Sequence, residues 1–354
     1  MKSFRVIEGA FYFCKMRNLL LLGIVVIFFT ACGSDKPVDN NETIAVDSTL
    51  TEKEAEFKAI NDLLKQDINN TGLYLKRAKL YSKYNDLSSA VNDVERAIKI
   101  DSTQPEYYLL KAELLKKQDK LIESKQALDA CMLLDNDNVP ARIELGWLAL
   151  IARDYDQAIK YADAALKIDI YNAEAYYLKG MVFEEQQDTN LALSTYKTAI
   201  EQENDYYEPY VHLGLLYFHL DLNLAKEYLK NALRIKPNSL EALYAYGICC
   251  QEKGDYNEAI ATYHNILKIE EYREPYFNLG YIHQEYLKVY DVAIDYYTKA
   301  INIEPRYVDA FYNRGLCYEE LNQNKKAEED FREALKLNPQ YTNAAIALER
   351  VLKK

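Results

Sequence analysis

The chain has 354 residues, 49% of them hydrophobic and 28% charged, with 55 acidic against 43 basic side chains and a net charge of −12. That balance describes an ordinary folded chain and excludes disordered and fibrous classes. It also excludes nucleic acid as a partner, because phosphate binding needs clustered Lys and Arg to displace counterions, and no such cluster occurs. At the amino terminus a weakly basic segment precedes an apolar stretch from Leu19 to Ala31 that ends on a small residue before Cys32. The stretch is shorter than the roughly 18 residues a spanning helix needs, so residues 1–31 read as a targeting signal. Met16, followed at once by Arg17 and the apolar run, is an alternative start.

The run Phe29-Thr30-Ala31-Cys32-Gly33 resembles the lipobox of bacterial lipoproteins, with Phe29 where that family usually carries Leu. The other reading is an ordinary secretory signal with a chance cysteine. The resemblance implies cleavage before Cys32, acylation of that cysteine with fatty acid such as palmitate, and, since Gly33 and not Asp follows, sorting to the outer membrane on the periplasmic side. Cleavage would remove Lys2, Arg5, Lys15 and Arg17 against Glu8 and take the net charge from −12 to −15. Residues 32–51, rich in Asp, Asn, Ser and Thr without an apolar face, read as a flexible tether. About twenty such residues reach roughly 25 Å. Glu52 to Gln66 then carries Ala55, Phe57, Ile60, Leu63 and Leu64 at helical spacing and predicts a capping helix over 52–70.

From residue 71 the chain repeats. A small residue recurs as Ala78, Ala112, Gly146, Gly180, Gly214, Gly247, Gly280 and Gly315, at spacings of 34, 34, 34, 34, 33, 33 and 35. A second small register follows as Ala90, Ser124, Ala158, Ala192, Ala225, Ala259, Ala293 and Ala327, and seven residues after each comes Ala97, Cys131, Ala165, Ala199, Ala232, Ile266, Ala300 or Ala334. Two antiparallel helices per unit account for both registers, since Gly and Ala let a neighbouring backbone approach where larger side chains would hold it off. Tyr or another large residue precedes the first small residue by four, with Arg142 as the exception. Pro105, Pro140, Pro209 and Pro275 fall in first turns, and Pro237, Pro305 and Pro339 just past second helices.

This pattern resembles the tetratricopeptide repeat, most fully from Val308 through Phe311, Gly315, Tyr318, Ala327, Phe331, Ala334 and Pro339 to Tyr341. The units are 71–104, 105–138, 139–172, 173–206, 207–239, 240–272, 273–307 and 308–341, with a capping helix over 342–354 built on Ala344, Ala347, Leu348 and Val351. The resemblance implies an all-α, right-handed superhelical solenoid whose first helices line a concave groove. Counting the small Gly or Ala as eighth, the fifth and ninth positions are expected to face that groove. The first two units supply Leu75, Lys79, Leu109 and Glu113. Then come Ile143 and Trp147, Tyr177 and Met181, Val211 and Leu215, Tyr244 and Ile248, Phe277 and Tyr281, and Tyr312 and Leu316. Either these side chains pad the inner wall, or they form an exposed apolar stripe for a partner's segment.

Asn278 and Asn313 stand sixth, where peptide-binding relatives place an Asn against the ligand backbone. Acidic residues at the twelfth and thirteenth positions, Glu184 and Glu185, Glu252, Glu285, and Glu319 and Glu320, are either a solvated face or a rim that selects basic partners. The basic clamp that holds a terminal carboxylate in chaperone-binding relatives is absent.

No phosphate loop, H-E-x-x-H, paired C-x-x-C or G-x-S-x-G occurs, and the repeats leave no stretch for a second domain. The reading is therefore non-enzymatic, with no cofactor, metal or small-molecule substrate and a protein or peptide partner. His212 and His219 lie seven apart without a third ligand, and Cys131, Cys249, Cys250 and Cys317 fall at or beside packing positions as buried thiols. A scaffold lipoprotein is the favoured role. A substrate adaptor or chaperone for a protease or secretion machine, and a regulatory subunit of an envelope enzyme, are the alternatives.

Overall fold

The computed structural model describes residues 48–354, which fall into two bodies, residues 48–202 and residues 203–354. Cys32, the signal segment 1–31 and nearly all of the tether 32–51 lie outside the described residues. The first body holds the capping helix α1 (Ser48–Gln66) and four helix pairs: α2 (Thr71–Lys83) with α3 (Leu87–Ile100), α4 (Pro105–Lys117) with α5 (Leu121–Leu134), α6 (Val139–Ile151) with α7 (Tyr155–Ile168), and α8 (Ala173–Glu185) with α9 (Thr189–Gln202). The second holds α10 (Tyr207–Tyr217) with α11 (Leu222–Ile235), α12 (Leu240–Lys253) with α13 (Tyr256–Ile269), α14 (Arg273–Tyr281) with α15 (Tyr290–Ile303), α16 (Val308–Glu320) with α17 (Asn324–Leu337), and the closing helix α18 (Thr342–Leu352). A π-helical turn, Ile282–Tyr286, extends α14. The described residues are all helix and turn, and within each body the pairs stack as a repeat solenoid. The first helix begins at Ser48, inside the segment expected to be tether.

Local sequence sets the helix ends. Asn70, Asn138 and Asn172 cap first helices through side-chain oxygens that accept from the backbone N–H three residues on, and Asp86, Asp154 and Asp188 do the same for second helices. The turn inside seven of the eight repeats passes through one residue with positive φ: Asn85, Asp119, Arg153, Gln187, Gly254, Lys288 and Asn322. Only one of these is glycine, so most turns hold an L-residue in a conformation it adopts at a cost of about 1 kcal/mol.

The helix pairs are locked at the eighth position. A Cβ built on Gly180 would stand 2.4 Å from Tyr196, on Gly247 2.7 Å from Tyr263, on Gly280 2.8 Å from Tyr297 and on Gly315 2.6 Å from Phe331. Each of those rings is fully buried in the second helix of the same repeat. Where the small residue is Ala78 or Ala112, the matching position holds the smaller Val94 or Leu128. For Gly146 the matching position is Ala162, and Leu178 from the next repeat comes within 2.4 Å of the built Cβ. The tyrosine hydroxyls then bond to the twelfth position: Tyr196 donates to Glu184 at 2.7 Å, Tyr263 to Gln251 at 3.2 Å and Tyr297 to Gln284 at 2.7 Å.

The uneven spacings have separate origins. The turn after α10 lacks the positive-φ residue, the link from α13 to α14 is shortened, and the 35-residue step from Gly280 to Gly315 contains the π turn. Arg142 is explained as well. Tyr74 and Tyr108 donate to carbonyls six residues back, at Ile68 and Ser102, and the Arg142 guanidinium donates to Asn136 in the same way.

Both ends are tied down. Phe57 of α1 packs on Tyr81, with ring centroids 4.7 Å apart, and Arg77 bridges Asn61 and Asp93 at 2.6 Å. At the other end Ala344, Ala347 and Val351 are buried, and Arg350 and Lys354 reach back to the buried Glu319. The Arg350 hydrogen bond, opposed by burial and aided by Lys354, holds the Glu319 carboxyl below the usual range.

Two predictions follow from these contacts. Gly180→Ala should destabilise the chain by about 2 kcal/mol in urea denaturation, and Tyr196→Leu in the same chain should recover part of it, giving a coupling of about 1 kcal/mol in the double-mutant cycle. A carboxyl with a lowered folded pKa stabilises fully above its unfolded value and loses that contribution as pH falls through the folded one. Glu319→Gln should therefore lower the thermal midpoint at pH 7, with the gap from the parent closing as pH drops below about 4.

Candidate partner-binding surface

First helices of neighbouring repeats approach one another directly: α6 with α8 in the first body, and α10 with α12 and α16 with α18 in the second. Their side forms the inner wall of each stack. Along it the fifth and ninth positions differ from each other in the first body and are mixed in the second.

In the first body Ile143 is 2% exposed and Tyr177 8% exposed, so both belong to packing. Trp147, at a ninth position, is half-buried, lies 5.5 Å from the Tyr177 ring and donates its indole N–H to Glu174 at 3.1 Å. Met181 is half-buried beside the Tyr196 hydroxyl, 3.2 Å from its sulfur. Before them Lys79 is exposed while Leu75, Leu109 and Glu113 are half-buried. Burial, with Glu144 adding repulsion, raises the Glu113 carboxyl above its ordinary pKa.

In the second body Val211 and Ile248 are buried, and Leu215, Tyr244, Phe277, Tyr281, Tyr312 and Leu316 are half-buried. The Phe277 ring lies 5.1 Å from Tyr307 and 5.4 Å from Tyr297, and the Tyr312 ring 5.2 Å from Tyr341. None of these positions is an open apolar surface. The stacking of first helices covers much of the stripe that the sequence alone would expose, and what meets solvent is the edges of side chains at most ninth positions and, in the second body, at the fifth positions Tyr244, Phe277 and Tyr312 as well.

The sixth-position asparagines are engaged inside the protein. Asn278 is 2% exposed and donates to the Tyr244 hydroxyl of the preceding repeat at 3.3 Å, and Asn313 donates to the Asp309 carbonyl of its own helix at 2.7 Å. A ligand backbone would have to displace those contacts to reach either side-chain amide. The acidic rim also thins. Glu184 accepts from Tyr196 and Glu319 is held by Arg350 and Lys354, which leaves the thirteenth position, with Glu185, Glu252 and Glu320 exposed and Glu285 half-buried.

The remaining chemistry is enclosed. Cys131, Cys249, Cys250 and Cys317 are free, buried thiols, and burial pushes them to about 11, 11, 12 and 12. His212 is buried and His219 exposed, so they share no face. Among the described residues no group of three His, Cys, Asp or Glu side chains could hold a metal ion, and no helix is long and apolar enough to cross a membrane.

Family profiles described as tetratricopeptide repeat match residues 143–208, 221–277, 274–307 and 308–341, between them more than half of the chain. The chain belongs to the tetratricopeptide-repeat family. It is similar to BBSome complex member BBS4 of Bos taurus, 25% identical over 230 residues that cover 55% of this chain and 44% of that protein. A TPR repeat-containing protein of Methanocaldococcus jannaschii is 25% identical over 247 residues, 66% of this chain and 38% of that one. The chain thus spans less than half the length of either relative. Among solved structures, a TPR protein of Parabacteroides merdae is 17% identical, with a TM-score of 0.45 over 70% of this chain and 98% of that one. The Cut9–Hcn1 assembly of APC/C is 20% identical, with a TM-score of 0.48 over 88% of this chain and 61% of that one.

The sequence reading missed two features of the TPR face: the hydroxyl bridges to the twelfth position, and the π turn that carries Glu285 and Tyr286. Only the second left a mark, the single 35-residue spacing. Trp147 is the one tryptophan and half-buried, so acrylamide should quench it partially in the free protein. A ligand that covers the inner wall of the first body should reduce that quenching, whereas one bound elsewhere should leave it unchanged.

Proposed function

We propose that this chain is a non-enzymatic scaffold that binds a partner protein or an extended peptide along the first-helix face of its repeats, and that an acylated Cys32 holds it at the outer membrane facing the periplasm. The observation that carries the binding role is the first-helix face of each body, where helices bearing half-buried rings, Trp147 in the first body and Tyr281 and Tyr312 in the second, are accompanied by first helices that carry exposed carboxylates, Glu185 in the first and Glu252 and Glu320 in the second. Such rings give large contact area for little lost rotamer freedom, and the carboxylates add charge selection. The non-enzymatic reading is supported by the four thiols, all buried with raised pKa values and so poor nucleophiles. The anchor rests on the lipobox-like residues from Phe29 to Gly33.

Photo-crosslinkers placed at Trp147 and Tyr281 in cells, with exposed Lys336 as control, should give discrete adducts from the first two only. A diffuse smear would favour a chaperone for extended chains, and equal labelling from Lys336 would remove the inner wall as the site. Cys32→Ser should abolish palmitate labelling and release the chain from the membrane fraction; retention with label intact would refute the anchor.

A further inference from the structure

The π turn in the seventh repeat creates a cluster that no other repeat has. Its extra residue carries Tyr286 onto Tyr256 of the sixth repeat, with rings stacked at 4.2 Å and 22°, and the Tyr281 ring meets Tyr286 edge-on at 5.9 Å and 81°. Tyr286 is 41% exposed although it is part of this stack. Two carboxylates belong to the same place. Glu252 ends the sixth repeat's first helix, Glu285 lies within the π turn, and both act electrostatically on Tyr281 and Tyr286. Burial first, then Tyr286, Glu285 and Glu252, push the Tyr281 hydroxyl up to about 12.

The cluster has the negative charge and ring faces of a cation site but almost no cation of its own. Glu252 forms no ion pair or hydrogen bond among the described residues, and its carboxyl is raised by partial desolvation alone. Glu285 accepts from the Gln284 side-chain amide at 3.3 Å, and its one cation is Lys288, at 3.9 Å in an exposed pair, a contact worth little in water. Lys253, the other nearby cation, points to Asp255 at 3.6 Å. Elsewhere in this body Lys or Arg side chains lie over Tyr246, Tyr207, Tyr307, Tyr276, Tyr296 and Tyr318, whereas none lies over Tyr256, Tyr281 or Tyr286. An exposed carboxylate without an ion pair, near aromatic rings that no cation covers, is complementary to an ammonium or guanidinium group, which gains an ion pair and a cation–π contact together.

We propose that Glu252, Glu285, Tyr281 and Tyr286 form a cage for one Lys or Arg side chain of the partner, so that the partner of this face is a basic segment. This deepens the binding role proposed above and rests on it for the identity of the ligand as a polypeptide. Lys288 acts as the displaceable occupant in the free protein.

The test uses the full chain with 13C-labelled tyrosine, titrated with N-acetyl-lysine methylamide and, separately, with N-acetyl-norleucine methylamide, which has the same stem without the charge. The lysine compound should shift the Tyr281 and Tyr286 signals, bind about tenfold more tightly than the norleucine compound, and lose about fivefold or more in Glu252→Gln. Lys288→Ala should tighten it. Equal binding of the two compounds, unchanged binding in Glu252→Gln, or no shift at either tyrosine would overturn the cage. If the lysine compound fails while Tyr281 crosslinks to a partner, the cage is wrong and the binding face stands. If it binds as expected but no crosslink forms, the cage stands as a cation site and the polypeptide partner falls.

Discussion

The pair packing in both bodies depends on one steric constraint: at the eighth position of each first helix there is room either for a side chain there or for an aromatic ring across from it, but not for both. Four of the six register glycines meet an aromatic ring of their own repeat's second helix, Gly214 meets Leu229, and the two register alanines stand at the positions matched by Val94 and Leu128. The constraint fixes the distance between the helices of a pair. That distance in turn fixes where the tyrosine hydroxyls emerge, which is why Glu184, Gln251 and Gln284 are the groups that receive them. The abundance of tyrosine has a structural reason, since a ring with a polar tip can fill a close-packed seam and still find a partner at its far end.

The sequence makes the repeats legible because their signals are periodic and local: small residues every 33 to 35 positions, prolines only at helix ends, Asn and Asp where first and second helices begin. Depth is a different matter. Helical spacing puts Ile143 on the face of its helix that carries Trp147, Val211 on the face that carries Leu215 and Ile248 on the face that carries Tyr244, but burial is decided by how closely the neighbouring first helix approaches, and that depends on residues far along the chain. The same reason hid the role of Asn278, whose partner Tyr244 lies 34 residues away. The fatty-acid anchor expected at Cys32 belongs to residues outside those the structure describes.

Departures from the repeat pattern carry as much meaning as agreement with it. Arg142 looks like a break in the aromatic register, yet it makes the contact to the preceding loop that tyrosine makes in the first two repeats. The extra residue of the seventh repeat is absorbed as a π turn, so the register resumes at Gly315 while the outer end of that helix is rotated. An insertion placed there alters one local surface and leaves the pair packing alone, which is how a repeat array can acquire a distinctive patch without rebuilding its core.

The four buried thiols have a practical consequence. Thiol reagents attack thiolate, and a thiol enclosed in a helix seam with a raised pKa reacts only when its repeat opens. Cys131 sits in the second repeat, Cys249 and Cys250 in the sixth and Cys317 in the eighth. Each body therefore carries native clocks for its own local opening, and the order in which the cysteines are modified would rank the repeats by kinetic stability without any label being introduced.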